Sequence, residues 1–335
     1  MATENRNDRN MVMQWHITHR CNLRCTHCYQ EDYSAFGTRD DLLNVLEQFD
    51  ELLGFYHVCG HINITGGEPM LHPDLFFLLK EIRKRGWTFG ILTNGTLIDR
   101  HLARRLSSYR PSFVQISLDG TKKTHDKIRG EGNFDRAIDG ICHLKSYGIF
   151  VMVSFTAQRE NRRELDKLAR VCKNIGVDKL WFDRVVIPVA DDTNGLTLSA
   201  DEYDRLLHSA ARINRHGRVH CDRALQFLYA KNKRIYRCSA GDRLLIVQAD
   251  GSVMPCRRIP LIADNIKDHT LLQIYRDNPL FCDIRQTPLP EACGDCRYAQ
   301  SCHGGAKCIA YAKTNRYDIP DPDCPLLRDM RRIDT

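Results

Sequence analysis

Short apolar runs alternate along this chain with longer segments whose apolar positions recur every three or four residues. Residues 12–17, 61–64, 89–92, 113–117, 150–155 and 179–187 read as strands. Between them, residues 40–54 carry Leu42, Leu43, Leu46, Phe49, Leu52 and Leu53 at helical spacing. Residues 75–84, 134–147 and 164–174 follow the same period. Repeated strand–helix units imply a parallel sheet. After Pro188 comes a polar stretch, residues 190–195, and then a helix with Ser199 as its N-cap. Further on, residues 244–248 and 252–256 read as a hairpin around the turn Ala249-Asp250-Gly251, which brings Cys238 and Cys256 near each other. No internal repeat or low-complexity run is present.

Several predicted strands end in small or polar residues. The second ends in Thr65-Gly66-Gly67-Glu68-Pro69, the third in Thr93-Asn94-Gly95, and the fourth in Leu118-Asp119-Gly120. In parallel α/β proteins the C-terminal ends of strands are where ligands bind. The first strand leads into a polar loop that carries Cys21, Cys25 and Cys28 at CxxxCxxC spacing. Three thiolates can hold three irons of a [4Fe–4S] cubane, which normally takes four cysteines. The fourth iron is then open to a small molecule, by the logic that separates catalytic from structural zinc sites. The CxxC pair with His27 between its cysteines also suits half of a zinc site.

The chain has 15 cysteines. Residues 1–10 are polar and charged, with no apolar signal-peptide core. No run of 18 apolar residues exists, so no membrane span is expected. A cytoplasmic location and metal-bound cysteines, not disulfides, follow from that reading. Cys59, Cys142, Cys172 and Cys282 have no partner spacing and read as core or neutral positions.

The four ordered motifs, Cys21-x3-Cys25-x2-Cys28-Tyr29, Gly66-Gly67-Glu68-Pro69, Thr93-Asn94-Gly95 and Ser117-Leu118-Asp119-Gly120, resemble those of radical S-adenosylmethionine (SAM) enzymes. The resemblance covers about residues 11–187. It implies an α/β fold, a partial (β/α)6 TIM-like barrel, with SAM chelating the open iron through its amino and carboxylate groups. It further implies reductive cleavage of SAM to a 5′-deoxyadenosyl radical that abstracts hydrogen from a substrate. Gly66 and Gly67 would let the backbone approach a ligand closely. Glu68 would offer a carboxylate to the SAM ammonium, and Pro69 suits a strand end. Asn94, Ser117 and Asp119 would hydrogen-bond the ribose or the methionine end, and Arg129 would meet the SAM carboxylate. Plainer readings stand beside these: Asn94-Gly95 and Asp119-Gly120 as turns, Arg129 as part of a solvated basic loop.

The distal cysteines follow Cys238-x12-Gly251-x4-Cys256, then Cys293-x2-Cys296-x5-Cys302-x5-Cys308, then Cys324. This is similar to the cysteine-rich α+β SPASM extension, which carries one or two auxiliary [4Fe–4S] clusters. The resemblance implies that Cys293, Cys296, Cys302 and Cys324 hold one cluster. The other would use Cys238, Cys256, Cys308 and, as the nearest candidate, Cys221. One position departs from the pattern: Ala306 stands where the sixth cysteine is usual, and Cys308 lies two residues later. An open iron in that cluster, or a zinc ribbon built from Cys293, Cys296, Cys302 and Cys308, stay as alternatives. The expected division is 11–190 for the barrel, 191–235 for a helical bridge, and 236–335 for the extension.

Lysine and arginine total 49 against 42 acidic residues, a net charge of +7. Anionic clusters offset most of this, so the excess makes no case for nucleic acid. Arg104-Arg105 and residues 231–237 read as solvated surface or as docking sites for an acidic flavodoxin- or ferredoxin-type electron donor. The resemblance implies a ribosomally made peptide or protein as substrate, crosslinked or oxidised. Only about ten residues precede the first strand, so a separate leader-peptide recognition protein, or direct binding to the barrel, is expected. Arg257 stands where sulfatase-maturing members carry an aspartate, which argues against that activity. A small-molecule substrate of tetrapyrrole or sugar type is the first alternative. A non-catalytic electron-transfer protein is the second, but it leaves Gly66-Gly67-Glu68-Pro69 unexplained. No catalytic base is identified. Asp183 and Arg184 adjoin on one strand, so only one of them can face the barrel interior.

Overall fold

The computed structural model describes residues 10–188, 191–193, 195–217, 219–230 and 235–327. Six parallel strands form the barrel wall: β1 (Asn10–His16), β2 (Cys59–Thr65), β3 (Thr88–Thr93), β4 (Phe113–Ser117), β5 (Val151–Ala157) and β6 (Lys179–Arg184). Helices connect them: α1 (Arg39–Tyr56), α2 (Leu75–Lys84), α3 (Arg100–Ser108), α4 (Lys122–Arg129), α5 (Asn133–Ser146) and α6 (Leu165–Asn174). A seventh helix, α7 (Ala200–Asn214), follows β6.

Helix starts are written locally. Thr38 caps α1 and Ser199 caps α7, each in a reciprocal capping box with the acid three residues on, Asp41 and Glu202. The predicted helices agree with α1, α2, α5 and α6 to within two residues at each end. Helices α3 and α4 were not expected: both are short and strongly charged, with few buried positions to set a period.

Strand alternation sorts the wall into two faces. Val114, Ile116, Val153, Leu180 and Phe182 are fully buried in the main apolar core. The intervening Gln115, Ser117, Ser154, Thr156, Trp181 and Asp183 line the barrel lumen.

The sheet does not stop at the barrel. Strand β7 (Leu244–Val247) pairs parallel with β1, aligning Val12 with Leu244, and β8 (Ser252–Met254) and β9 (Asp264–Asn265) continue antiparallel. One sheet of nine strands therefore runs from the barrel across the expected boundary at residue 236. The hairpin turns at Gly251, whose φ of 91° suits glycine. Beyond it lie α8 (Leu271–Asp277), α9 (Pro279–Gln286), α10 (Ala299–Cys302) and α11 (Lys307–Thr314). Among the described residues, no helix is long and apolar enough to cross a membrane. Part of the expected polar stretch 190–195 and of the basic patch 231–237 lies outside the described residues.

Candidate active site and cluster sites

The cysteine loop is fastened from three directions by backbone hydrogen bonds. Gly67 donates to Thr18 O (2.7 Å), Glu68 to Arg20 O (2.8 Å), and Thr26 to Ile128 O at the end of α4 (2.9 Å). The glycine pair exists for this contact. A Cβ at Gly67 would lie 2.4 Å from Arg20 O, and one at Gly66 would lie 2.3 Å from Thr18 O. What these glycines admit is first the backbone of the cysteine loop; both also line the cavity.

That cavity, about 290 Å³, sits at the C-terminal end of the barrel strands. Cys21, Cys25 and Cys28 line it together with Asn94, Ser117 and Arg129. Burial, together with the nearby Glu68, Cys25 and Cys28, pushes the Cys21 thiol up to about 11. Such thiols ionise when a bound cation supplies the compensating charge. Arg129 Nη1 lies 3.8 Å from Cys25 Sγ, close enough to stabilise the thiolate. The donor set therefore fits an iron–sulfur cluster.

Three expected cofactor contacts lie outside the cavity lining. Glu68 is fully buried and does not line the cavity. Its carboxylate accepts from Thr93 Oγ1 (2.7 Å), Asn94 N (2.8 Å) and Met70 N (3.1 Å), so it staples the glycine turn to the end of β3. Pro69 is buried at the start of a 3-10 turn, Pro69–Leu71, and is likewise outside the cavity lining. Asp119 is fully buried; its Oδ2 accepts from Arg129 Nε (2.6 Å) and its Oδ1 from Thr156 N (2.9 Å). Arg129 and the nearby His27 hold its pKa low against the opposing effect of burial. Asp119 thus positions Arg129, and Arg129 is no solvated loop residue. Asn94 lines the cavity, but its amide donates to Asn22 Oδ1 in the cysteine loop (2.9 Å).

Gln14, Gln115, Ser154, Thr156 and Trp181 also line the cavity and were not singled out from sequence. Their polar alternation within apolar strands was the available signal. Asp183 and Arg184 both line the cavity, but each charge is paired elsewhere: Arg184 with buried Asp321 and Asp323, and Asp183 with Arg258 at 2.6 Å.

The distal cysteines form two groups. Cys293, Cys296, Cys302 and Cys324 surround a small apolar cavity of about 30 Å³. Burial pushes Cys302 up to about 12, with Cys324, Cys293 and Cys296 adding to the rise. Cys238, Cys256 and Cys308 form the second group, within one small apolar cluster that also contains Ala306. Burial raises the Cys308 thiol; Arg258 opposes this, while Cys256, Asp183 and Cys238 reinforce it. Cys221 packs in the main apolar core, whereas Cys238, Cys256 and Cys308 belong to the smaller cluster. Among the described residues, no three His, Cys, Asp or Glu side chains converge on a single ion position. A zinc site needs ligands about 2.3 Å from one point. A cubane takes one thiolate per iron.

Residues 15–172 match the Radical SAM superfamily, and residues 238–297 match SPASM, an iron–sulfur cluster-binding domain. The chain is a radical SAM enzyme with a SPASM domain. This radical SAM enzyme therefore binds SAM, a SAM-binding [4Fe–4S] cluster, and auxiliary iron–sulfur clusters. It is 25% identical over 337 residues to AdoMet-dependent heme synthase of Methanosarcina barkeri, covering 93% of this chain and 95% of that protein. It is 27% identical over 340 residues to mycofactocin maturase MftC of Mycobacterium tuberculosis, covering 95% and 83%. Among solved structures, native anSMEcpe with bound AdoMet and Cp18Cys peptide superposes with a TM-score of 0.77 at 19% identity, covering 96% of this chain and 95% of that one. Streptococcus suis SuiB bound to S-adenosylmethionine gives 0.74 at 17%, covering 94% and 77%. Those two structural likenesses bear on the fold alone.

Proposed function

We propose that this radical SAM enzyme acts on a ribosomally made peptide or protein, introducing a crosslink or an oxidation. The observation that carries the reading is the form of the interior space. The cavity at the cysteines adjoins a second cavity of about 340 Å³, and the two share His27, Cys28, Tyr29, Val186 and Arg258 as lining. A divided space suits a chain of linked residues better than a rigid macrocycle. Similarity to mycofactocin maturase MftC over 95% of this chain supports the same reading. Similarity to AdoMet-dependent heme synthase supports a tetrapyrrole substrate as the second reading.

In this proposal Cys21, Cys25 and Cys28 hold the SAM-binding cluster. When bound, cluster and SAM together supply a 5′-deoxyadenosyl radical. Arg129, fixed by Asp119, keeps a positive charge beside Cys25 and offers its remaining N–H groups to the SAM carboxylate. Ser117 and Asn94 line the space for the rest of SAM. Cys293, Cys296, Cys302 and Cys324 hold one auxiliary cluster, and Cys238, Cys256 and Cys308 hold the other through three thiolates. Residues 11–190 would act as the barrel, 191–235 as a bridge and 236–335 as the extension. An external flavodoxin- or ferredoxin-type donor would deliver the electron.

The test is reductive SAM cleavage by the reconstituted protein, with precursor peptides encoded nearby and, separately, with iron-coproporphyrin. Faster 5′-deoxyadenosine formation and a mass change only with a peptide supports the proposal. The same response only with the porphyrin selects the second reading. Cys25→Ala should abolish cleavage in either case.

A further inference from the structure

Cys256 is followed by two arginines whose environments differ. Arg258 is engaged: Nη1 donates to Asp183 Oδ2 (2.6 Å) and Nη2 to Arg184 O (2.7 Å). Arg257 lies with its guanidinium over the Tyr29 ring, 4.2 Å from the centroid. Its Nε is enclosed, and nothing among the described residues accepts a hydrogen bond from it. A buried donor without an acceptor is uncommon and calls for an explanation.

The location supplies one. Arg257 lines the second cavity, which shares a wall with the SAM cavity. The apolar part of that cavity is built by Val186, Ile187, Leu196 and Pro260. Its acids are otherwise disposed. Asp192 is held within its own loop, accepting from Leu196 N (2.6 Å) and Thr197 Oγ1 (2.5 Å), while Glu31 and Asp191 are exposed at the surface. The cavity lining thus combines half-buried Arg257, whose Nε has no acceptor among the described residues, with the exposed acids Glu31 and Asp191 and the internally bonded Asp192. The two Nη groups of a guanidinium form an end-on fork that matches a carboxylate in bidentate geometry.

We propose that Arg257 is the substrate anchor and binds a carboxylate, holding the adjacent part of the substrate at the shared wall of the two cavities. The carboxylate is a chain terminus or an acidic side chain. This deepens the peptide reading and rests on it.

The test uses reconstituted wild type, Arg257→Gln and Arg257→Lys, each saturated with SAM, with iron content confirming that every variant folds. Isothermal titration calorimetry measures three probes: N-acetylphenylalanine, the α-amide of N-acetylglutamate, and N-acetylphenylalaninamide. The two acids represent a chain terminus and a side chain. At least one acid should bind wild type roughly tenfold or more tightly than the neutral amide. Arg257→Gln should lose that preference, and Arg257→Lys should keep only part of it, because the charge remains without the fork. The acid that binds tighter identifies the source. Equal binding of acids and amide to wild type, or a preference unchanged in Arg257→Gln, overturns the proposal. No peptide turnover enters this measurement, so its failure is distinct from failure of the peptide reading.

Discussion

Arg184 Nη2 at the end of β6 donates to Asp321 Oδ2 across 2.5 Å, and both residues are buried. Nη1 reaches Asp323 at 2.7 Å, and the guanidinium lies 3.8 Å from the Tyr203 ring centroid. The barrel's last strand is thus tied by charge to the segment that leads into Cys324. Replacing Arg184 with Met leaves enclosed Asp321 without its cation and Asp323 with Lys313 alone. A loss of about 3–5 kcal/mol is expected, read by denaturant unfolding. Replacing Asp321 and Asp323 with Leu in the same variant should recover much of it, since an apolar substitute for the whole network avoids the unpaired charge.

Gly67→Ala should empty the first cluster site. The added methyl would sit 2.4 Å from Arg20 O and 2.5 Å from His19 O, both backbone atoms of the cysteine loop. Iron analysis of the reconstituted variant should give about eight irons per chain where the wild type gives about twelve, one cubane fewer. A full iron complement would show that the loop can shift without losing its ligands.

Glu68→Gln tests whether that carboxylate contacts SAM or only braces the turn. Three donors converge on it from Met70, Thr93 and Asn94. An amide would turn its NH2 toward one of them and leave a buried donor unpaired, costing about 1–3 kcal/mol. Lower stability with iron content retained is the expected result. Unchanged stability with loss of SAM binding would restore the direct-contact reading.

Cys308→Ala and Cys221→Ala separate the two readings of the second auxiliary cluster. In a Cys21/Cys25/Cys28 triple Ala background, about eight irons are expected from two auxiliary cubanes. Cys308→Ala should lower this to about four, and Cys221→Ala should leave it unchanged. Mild oxidation should convert a three-thiolate cluster to a three-iron form with its own EPR signal. Iron loss on Cys221→Ala would return that residue to the ligand set.

Asp119→Asn should weaken SAM binding without removing iron. Arg129 would lose its charged partner at 2.6 Å and, with it, the orientation of its other N–H groups. SAM affinity by equilibrium dialysis, paired with iron analysis, reads the two effects apart. Unchanged affinity would reduce Asp119 to a packing role.

The sequence by itself determined the fold class and the cofactors. Strand and helix periods are local, and ligand spacing such as Cys21-x3-Cys25-x2-Cys28 is local too. The tertiary structure decided what depends on contacts between distant segments. Glu68, Pro69 and Asp119 carry motif positions but lie behind the cavity wall, because buried acids must satisfy donors brought from β3, β5 and α4. Cys221 is near Cys238 in sequence yet sits in a different apolar cluster. Joining β7 to β1 requires segments more than 200 residues apart to pair, with no local signal to announce it. The contrast between Arg257 and Arg258 has the same origin: two identical neighbours differ because Asp183, 75 residues from Arg258 in the chain, reaches only one of them.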